Sequence, residues 1–564
     1  MFHILISLRL GMEEQHIKAA RAWQTIWGRA APTKHSIRNA HCATVWRQKQ
    51  TTLCPDLNYG WYKMAKTLLT VPVVMRNVLL GSFFLLPLLL GTTACSVNTV
   101  SQRPEVTLMT VEQEKQLGAE EAKKVEQEMG LLDDPALTDY LNALGQRLAK
   151  ESPRQDVSHH FYVADMPEPN AFALPGGYVY VSRGLLALAN SEAELAGVVG
   201  HEIGHVAARH TVQKVSKQGP FAVVFGIASG LTGIVSPLVG NIIGGVGNLA
   251  QGLVFSPYSR SQESEADEIG QEMAAKAGWD PEGLPVFLNT LEREQVLLHD
   301  GPRRSSFFDS HPATPDRVKN TSKHAKGLKQ ASREPISSSR EGFLSRLNGL
   351  VVGQRAANGI VRNQTYSHPD LNMFIQFPDG WNVQNTPAKV VAVAKEGDMA
   401  MVLQAVAEGN DPMDGARAVD EGGKSGILSK TRRTTIGGLP AAQTRVEDSK
   451  VTVDVTWIAH GGLIYQIAGL AQTRRFHSAQ PVFQQTTETF RSLSPDERAA
   501  IREHRIRLAK ARGGENVRAL AARTSSVWSP EQTAVANNLT DYEELREGQV
   551  VKIAVAEPYE GRKK

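Results

Sequence analysis

The residues of this chain best suited to chemistry are the five from His201 to His205, His-Glu-Ile-Gly-His, which set two imidazoles four positions apart with a carboxylate between them. Ser191 and Glu194 make a Ser-x-x-Glu capping box, and Leu195, Val198 and Val199 follow at apolar spacing without proline. The run Ser191–Lys217 is therefore expected to be helical, with the five residues in its middle. Four residues turn a helix through about 400°, which leaves His201 and His205 roughly 40° apart on one face, where both can bind one ion. Glu202 is too far round to be a good ligand, but its carboxylate can hold a water whose pKa zinc lowers to about 7. The chemistry implied is hydrolysis. His210, about 180° from His201 on the same helix, is expected in solvent.

A catalytic zinc takes three protein ligands and keeps a fourth place open, so two histidines need a partner. The run Arg260-Ser-Gln-Glu-Ser-Glu-Ala-Asp267, on a second helix-like stretch, offers Glu263 and Asp267, again four apart and on one face. One can ligate while the other accepts a hydrogen bond from a ligand histidine and fixes its tautomer. Glu265 lies about 200° from Glu263 and should point away. The other source of a third ligand would be a histidine six residues after His205 with a glycine midway, but Thr211 and Ala208 hold those places.

Four ordered motifs then carry a resemblance: Asn170-Ala-Phe-Ala-Leu-Pro-Gly-Gly177 before a strand, His201–His205, Glu263-x-x-Ala-Asp267, and His311-Pro-x-x-x-x-Arg317. Together they resemble the membrane-linked and periplasmic zinc peptidases that include the CAAX prenyl endopeptidases, HtpX and the bacterial β-barrel assembly-enhancing protease. The resemblance covers roughly Met109 to Leu328. It implies a mostly helical, zincin-type (gluzincin) metalloprotease domain with a small sheet, one Zn2+ held by His201, His205 and Glu263, and Glu202 as general base. His311 has three readings. It can stabilise the oxyanion as the scissile carbonyl is attacked, or take zinc's fourth position and keep the site shut until substrate displaces it, as a histidine in a similar context is read in one member of the family. It can also be a helix-entry histidine without chemical use. Arg317 is expected to be structural.

The elements that must position these residues follow from local pattern. Val111–Met129 and Pro135–Ser152 are expected helices, the second capped by Asp134 and buried through Leu137, Tyr140, Leu141, Leu144 and Leu148. Phe161–Ala164 is expected to form a hairpin with Tyr178–Val181 across Pro175-Gly-Gly. Asn170–Leu174 is a candidate edge strand on which a substrate backbone could add as a further strand, with an ordinary loop as the alternative. Phe221–Phe255 is long, apolar and glycine-rich, read as a mobile flap over the cleft or against a membrane, or as a packed helical pair. Helix resumes through Pro281–Leu298.

The chain has 564 residues, room for three or so domains, and a formal charge of +4, too small to argue for nucleic acid. Residues 1–74 are expected to be absent from the mature protein, and residues 75–94 to be a lipoprotein-type signal, with Met75-Arg-Asn, the apolar run Val78–Gly91 and a small-residue exit. Thr92-Thr-Ala-Cys95 resembles a lipobox, implying cleavage before Cys95 and lipid on its sulfur; an uncleaved membrane anchor is the alternative. Ser96 after it resembles lipoproteins sent to the outer membrane.

Residues 95–330 are expected to be the metallopeptidase domain, 331–365 a linker by its Ser, Arg, Glu and Pro content, 366–495 a small α+β domain, and 496–564 a final module. In the third of these the hairpin Val451–Ala471 turns at His460-Gly-Gly, and a helix near Pro481–Leu493 carries Phe483 and Phe490. Its Phe-x-x-Pro-x-Gly-Trp opening resembles PsbP/Mog-like domains. The last module resembles LysM, strand-helix-helix-strand, although Gly514-Glu-Asn-Val departs from the usual Gly-Asp-Thr opening. The whole is read as an α+β zinc endopeptidase of the bacterial periplasm anchored to the outer membrane. Its expected partners are misfolded or misassembled envelope proteins, membrane lipid through the acylated cysteine, and peptidoglycan. The rival reading is an envelope scaffold or chaperone whose zinc site is kept closed by His311.

Overall fold

A computed structural model describes residues 96–97, 104–105, 109–218, 256–297, 307–312, 316–420 and 426–561. The expected signal at 75–94, Cys95 and the whole of the apolar stretch Phe221–Phe255 lie outside the described residues. What is described is a mixed α and β fold with several sheets. Among the described residues no helix is long and apolar enough to cross a membrane.

Helix α1 (Val111–Glu128) starts at a capping box between Thr110 and Gln113. In α2 (Pro135–Ala149) the Asp134 carboxylate accepts from the Leu137 amide, and Leu137, Tyr140, Leu141, Leu144 and Leu148 form the buried stripe. A three-stranded sheet follows, with β1 (His160–Ala164), β2 (Ala171–Leu174) and β3 (Tyr178–Ser182) in the order β1-β3-β2. The hairpin across Pro175-Gly-Gly joins β2 to β3, and not β1 to β3 as expected; β1 runs parallel to β3. The turn explains this. Gly176 and Gly177 take positive φ (77° and 95°), which reverses the chain immediately after Leu174, and a Cβ on Gly177 would sit 2.3 Å from the Ser158 carbonyl. β2 is therefore an edge of this sheet.

The metal helix α3 (Glu192–Ala207) is capped by Ser191 and is shorter than its sequence pattern suggests. Arg209 adopts φ 55°, its guanidinium drawn away to Glu114 at 3.0 Å and the Met109 carbonyl at 2.9 Å. The chain turns there, and a separate helix α4 (His210–Gln218) begins. Helix α5 (Arg260–Ala277), with a capping box from Ser259 to Gln262, lies directly on α3. Their backbones touch because glycines face each other: a Cβ on Gly204 would be 2.8 Å from the Ala266 carbonyl, and one on Gly270 would be 2.6 Å from the His201 amide. Helices α6 (Gly283–Leu297) and α7 (Arg317–Gly327) complete this half.

Within 331–365, expected to be a linker, residues 336–347 pack into the first half of the chain. Ile336 and Ser337 amides donate to the buried Glu192 carboxylate, which also accepts from Tyr140 and Trp279. Phe343, Leu344 and Leu347 are fully buried in the same core as Leu144, Val199 and Leu288. The polar composition of 331–340 reads as a linker because these residues act through backbone donors, which composition does not reveal.

A seven-stranded antiparallel sheet carries the next region, including Met399–Glu408, Leu463–Gln472, Val451–His460 and Leu439–Glu447 side by side. Val451, Val453, Val455 and Trp457 share one apolar cluster. The helix after it spans Phe476–Glu488, with Pro481 inside it, so Phe490 lies beyond its end although both phenylalanines are buried. In the tail, Arg502–Lys510 pairs with Val550–Pro558 across helices Val517–Arg523 and Pro530–Ala536. Ile506, Ala536 and Ala554 belong to the same core as Leu144, Val199 and Leu288, and the buried Lys552 Nζ donates to the Ala187 and Ala189 carbonyls at 2.8 and 2.6 Å. The tail is docked on the half that carries α3.

Candidate metal centre

Helix α3 brings His201 and His205 to one face, and their Nε2 atoms lie 3.0 Å apart. Glu263, in the first turn of α5, sets Oε1 3.3 Å from His205 Nε2 and Oε2 3.7 Å from His201 Nε2. His311, just after the one-turn helix Phe307–Ser310, sets Nδ1 3.1 Å from His201 Nε2 and 3.2 Å from Glu263 Oε1. All four side chains are buried, and one ligand atom from each lies within 4.8 Å of the others. A small tetrahedral cation with bonds of about 2.0–2.1 Å holds its ligand atoms about 3.3 Å apart, close to these separations. Buried nitrogens and oxygens converging in this way have too few protons to satisfy one another, so the group could hold a divalent metal ion.

Asp267, one turn along α5, faces the other side of His201, with Oδ1 2.8 Å from Nδ1. Arg317 is more than a scaffold residue. Its Nε and Nη2 donate to the two Asp267 oxygens at 2.9 and 2.8 Å, and Nη1 meets Glu263 Oε2 at 2.8 Å and the His311 carbonyl at 3.3 Å. One guanidinium thus spans both acids and the segment bearing His311. Glu202 is fully buried with neither oxygen hydrogen-bonded, Oε1 lying 3.4 Å from His311 Nε2.

Residues 135–325, which hold every one of these side chains, match the family model of Peptidase family M48. This stretch is an M48 metallopeptidase domain. The chain is similar to the beta-barrel assembly-enhancing protease of Yersinia pestis, 29% identical over 247 residues that make up 43% of this chain and 49% of that protein. It is also similar to the metalloprotease LoiP of Escherichia coli (strain K12), 34% identical over 182 residues, 32% of this chain and 66% of that protein. The chain spans about half the length of the first of these relatives. Among solved structures, cyanobacterial PsbP from Synechocystis sp. PCC 6803 aligns at 14% identity over 25% of this chain and 98% of its own, with a TM-score of 0.20. M48 metallopeptidases are metal-dependent, in keeping with the His201, His205, Glu263 and His311 group.

Electrostatics separate the acids of the M48 centre. Burial pushes the Glu202 carboxyl up, and the imidazoles of His311 and His201 offset this only in part. Burial also works against ionisation of Asp267, yet Arg317 and then His201 hold it below the usual carboxylate range. The two acids are thereby driven apart, one toward holding a proton and the other toward fixed negative charge.

Four neighbours are misplaced or passed over by a sequence reading. His210 is not in solvent but fully buried, because the turn at Arg209 swings it inward until its Nδ1 lies 2.9 Å from His205 Nδ1. Glu265, expected to point away, reaches His210 Nε2 at 3.3 Å. Tyr258 stacks on the His205 ring at 3.9 Å, with Lys214 3.6 Å above its other face. The single signal for any of them was the His210 spacing, and it misleads while α3 and α4 are taken as one helix.

Proposed function

We propose that this chain is a zinc-dependent endopeptidase of the bacterial cell envelope that hydrolyses peptide bonds in misfolded or misassembled envelope and outer-membrane proteins. The observation that carries the reading is the convergence of His201, His205 and Glu263 from two helices, with the unbonded carboxylate of Glu202 beside them. In this reading the first three residues hold zinc, which supplies a Lewis acid that acidifies water and polarises a carbonyl. Glu202 accepts the proton of the attacking water and hands it to the departing amine, a task suited to a carboxyl whose pKa burial has raised. Asp267 holds the His201 ring with Nε2 turned to the cluster, and Arg317 holds Asp267. The edge strand β2 takes a substrate backbone as an added strand, which gives affinity without demanding a sequence. The names of the relatives support an envelope role. Acylation at Cys95 and a LysM-like grip of the tail on peptidoglycan are part of the same proposal, the second resting on the strand-helix-helix-strand order.

Glu202→Gln tests the mechanism. The variant should keep its metal and lose cleavage of an unfolded protein by about 10³-fold; undiminished cleavage overturns it.

A second reading has its own observation. His311 is fully buried with Nδ1 in the fourth corner of the cluster, the arrangement of a closed site, and a scaffold or chaperone with an idle zinc would show it. His311→Ala separates the cases. An opened peptidase gains activity, an oxyanion donor's loss lowers it, and a scaffold stays inactive either way.

A further inference from the structure

The two helix histidines are supported differently. At Nδ1, the nitrogen turned away from the cluster, His201 meets a carboxylate directly, whereas His205 meets one only through another imidazole. His205 Nδ1 is 2.9 Å from His210 Nδ1, and His210 Nε2 is 3.3 Å from Glu265 Oε2. Tyr258 lies flat along the His205 ring, and its hydroxyl is held by Thr211 at 2.9 Å, so the ring has little freedom to turn. Each nitrogen-to-nitrogen or nitrogen-to-oxygen contact has room for one proton, and the carboxylate end decides where the protons go. An ionised carboxylate only accepts, so the His210 proton sits on Nε2. Neutral His210 then offers a lone pair at Nδ1, which obliges His205 to donate from its own Nδ1. What remains on His205 is a lone pair at Nε2, aimed at the corner shared with His201 and Glu263. The opposite arrangement sets the His210 Nε2 lone pair against a carboxylate oxygen, which is repulsive. By contrast, Glu263 Oε1, 3.3 Å from His205 Nε2, is also met by His311 Nδ1 at 3.2 Å, and its Oε2 by Arg317 at 2.8 Å.

We propose that His210 and Glu265 are positioning residues that fix the metal-binding tautomer of His205 through a carboxylate–imidazole–imidazole relay. The inference rests on the reading of His205 as a metal ligand. Glu265 keeps 24% of its side-chain surface exposed and its bond is long, whereas Asp267 is 5% exposed at 2.8 Å from His201, so the relay is the softer of the two supports.

The test is zinc affinity of the full chain, measured by competition with a chromophoric chelator, together with the tautomer of His205 in the metal-free chain from long-range proton–nitrogen NMR. His210→Phe keeps the ring and removes both nitrogens; it should weaken zinc binding about 10- to 100-fold, the usual cost of losing such a partner, and leave His205 in mixed tautomers. His210→Asn, whose amide oxygen can stand where Nδ1 stood, should restore most of the affinity and the single tautomer. Glu265→Leu should fall between them. The relay is wrong if His210→Phe binds zinc like the unaltered chain with His205 still protonated at Nδ1, or if a folded His210→Asn is as weak as His210→Phe. Should His210→Phe fail to fold, His210→Asn and Glu265→Leu decide by the same two readouts. Glu263→Ala distinguishes the larger reading: if it and the unaltered chain both fail to bind zinc, the metallopeptidase assignment falls and takes the relay with it.

Discussion

Arg317 in the M48 domain and Arg445 on the seven-stranded sheet both clasp an aspartate through two nitrogens, Arg317 on Asp267 at 2.8 and 2.9 Å and Arg445 on Asp454 at 2.7 and 3.1 Å. Their settings are opposite. The Arg317 side chain is 5% exposed and shares its charge with Glu263, while Arg445 is 37% exposed and joins its aspartate across neighbouring strands. Burying three charges costs more in lost hydration than a well-packed apolar trio would, so such a network is weak evidence of stabilisation. It persists in the M48 centre because fixed charges there orient His201 and the Glu263 carboxylate. On the sheet Arg445 and Asp454 keep part of their hydration, at 37% and 21% exposure.

The comparison can be broken most decisively at Glu263. Glu263→Ala should take zinc, read by elemental analysis of the isolated chain, from about one per chain toward none, since two or three imidazoles alone make a poorer site. Retained zinc would mean the acids of α5 are structural, as on the sheet. Next in size, Arg317→Met in the metal-free chain strands two buried carboxylates and should cost about 3–5 kcal/mol by denaturant unfolding. A loss no larger than that for Arg445→Ala, expected at about 0.5 kcal/mol for an exposed pair, would erase the distinction.

Acid sharpens it. Burial, and then the nearby Arg154 charge, push the His159 imidazole of the M48 domain down from 6.5 to about 4. The neutral ring is the folded form, so its contribution is complete above pH 6.5 and is lost as pH falls to about 4, roughly 3 kcal/mol in all. At the end of the sheet region, a hydrogen bond from Arg491 holds Glu497 down to about 2 from 4.5; its contribution is intact above pH 4.5 and lost only on the way to pH 2. Melting curves between pH 7 and 4 should therefore fall less steeply for His159→Gln than for the unaltered chain. Equal slopes would place the acid sensitivity elsewhere. A small effect is also expected at the tail: Arg293 reaches the Leu539 carbonyl from a partly exposed position, and Arg293→Ala should lower stability by about 1 kcal/mol and leave zinc content unchanged.

Much of the centre was legible in the chain because it is written at helical spacing. His201, Glu202 and His205 lie within little more than one turn, as do Glu263 and Asp267, so a fixed rotation per residue places each set without knowledge of anything distant. The hairpin at His460-Gly-Gly and the strand-helix-helix-strand order of the tail were legible for the same reason. Other features depend on pairs far apart in the chain. The parallel pairing of β1 with β3, the burial of Phe343, Leu344, Leu347 and Leu350 and the contacts of Arg317 have no local period to announce them.

By itself, then, the amino-acid order determined which side chains share a helical face and so which chemistry was possible. Only the tertiary structure decided that the two faces meet, that His311 joins them, and that His210 turns inward. The physical reason is close approach. Bare glycines at 204 and 270 let α3 and α5 touch backbone to backbone, and a left-handed Arg209, held by Glu114 some 95 residues earlier, ends the metal helix where its own periodicity would have carried it on.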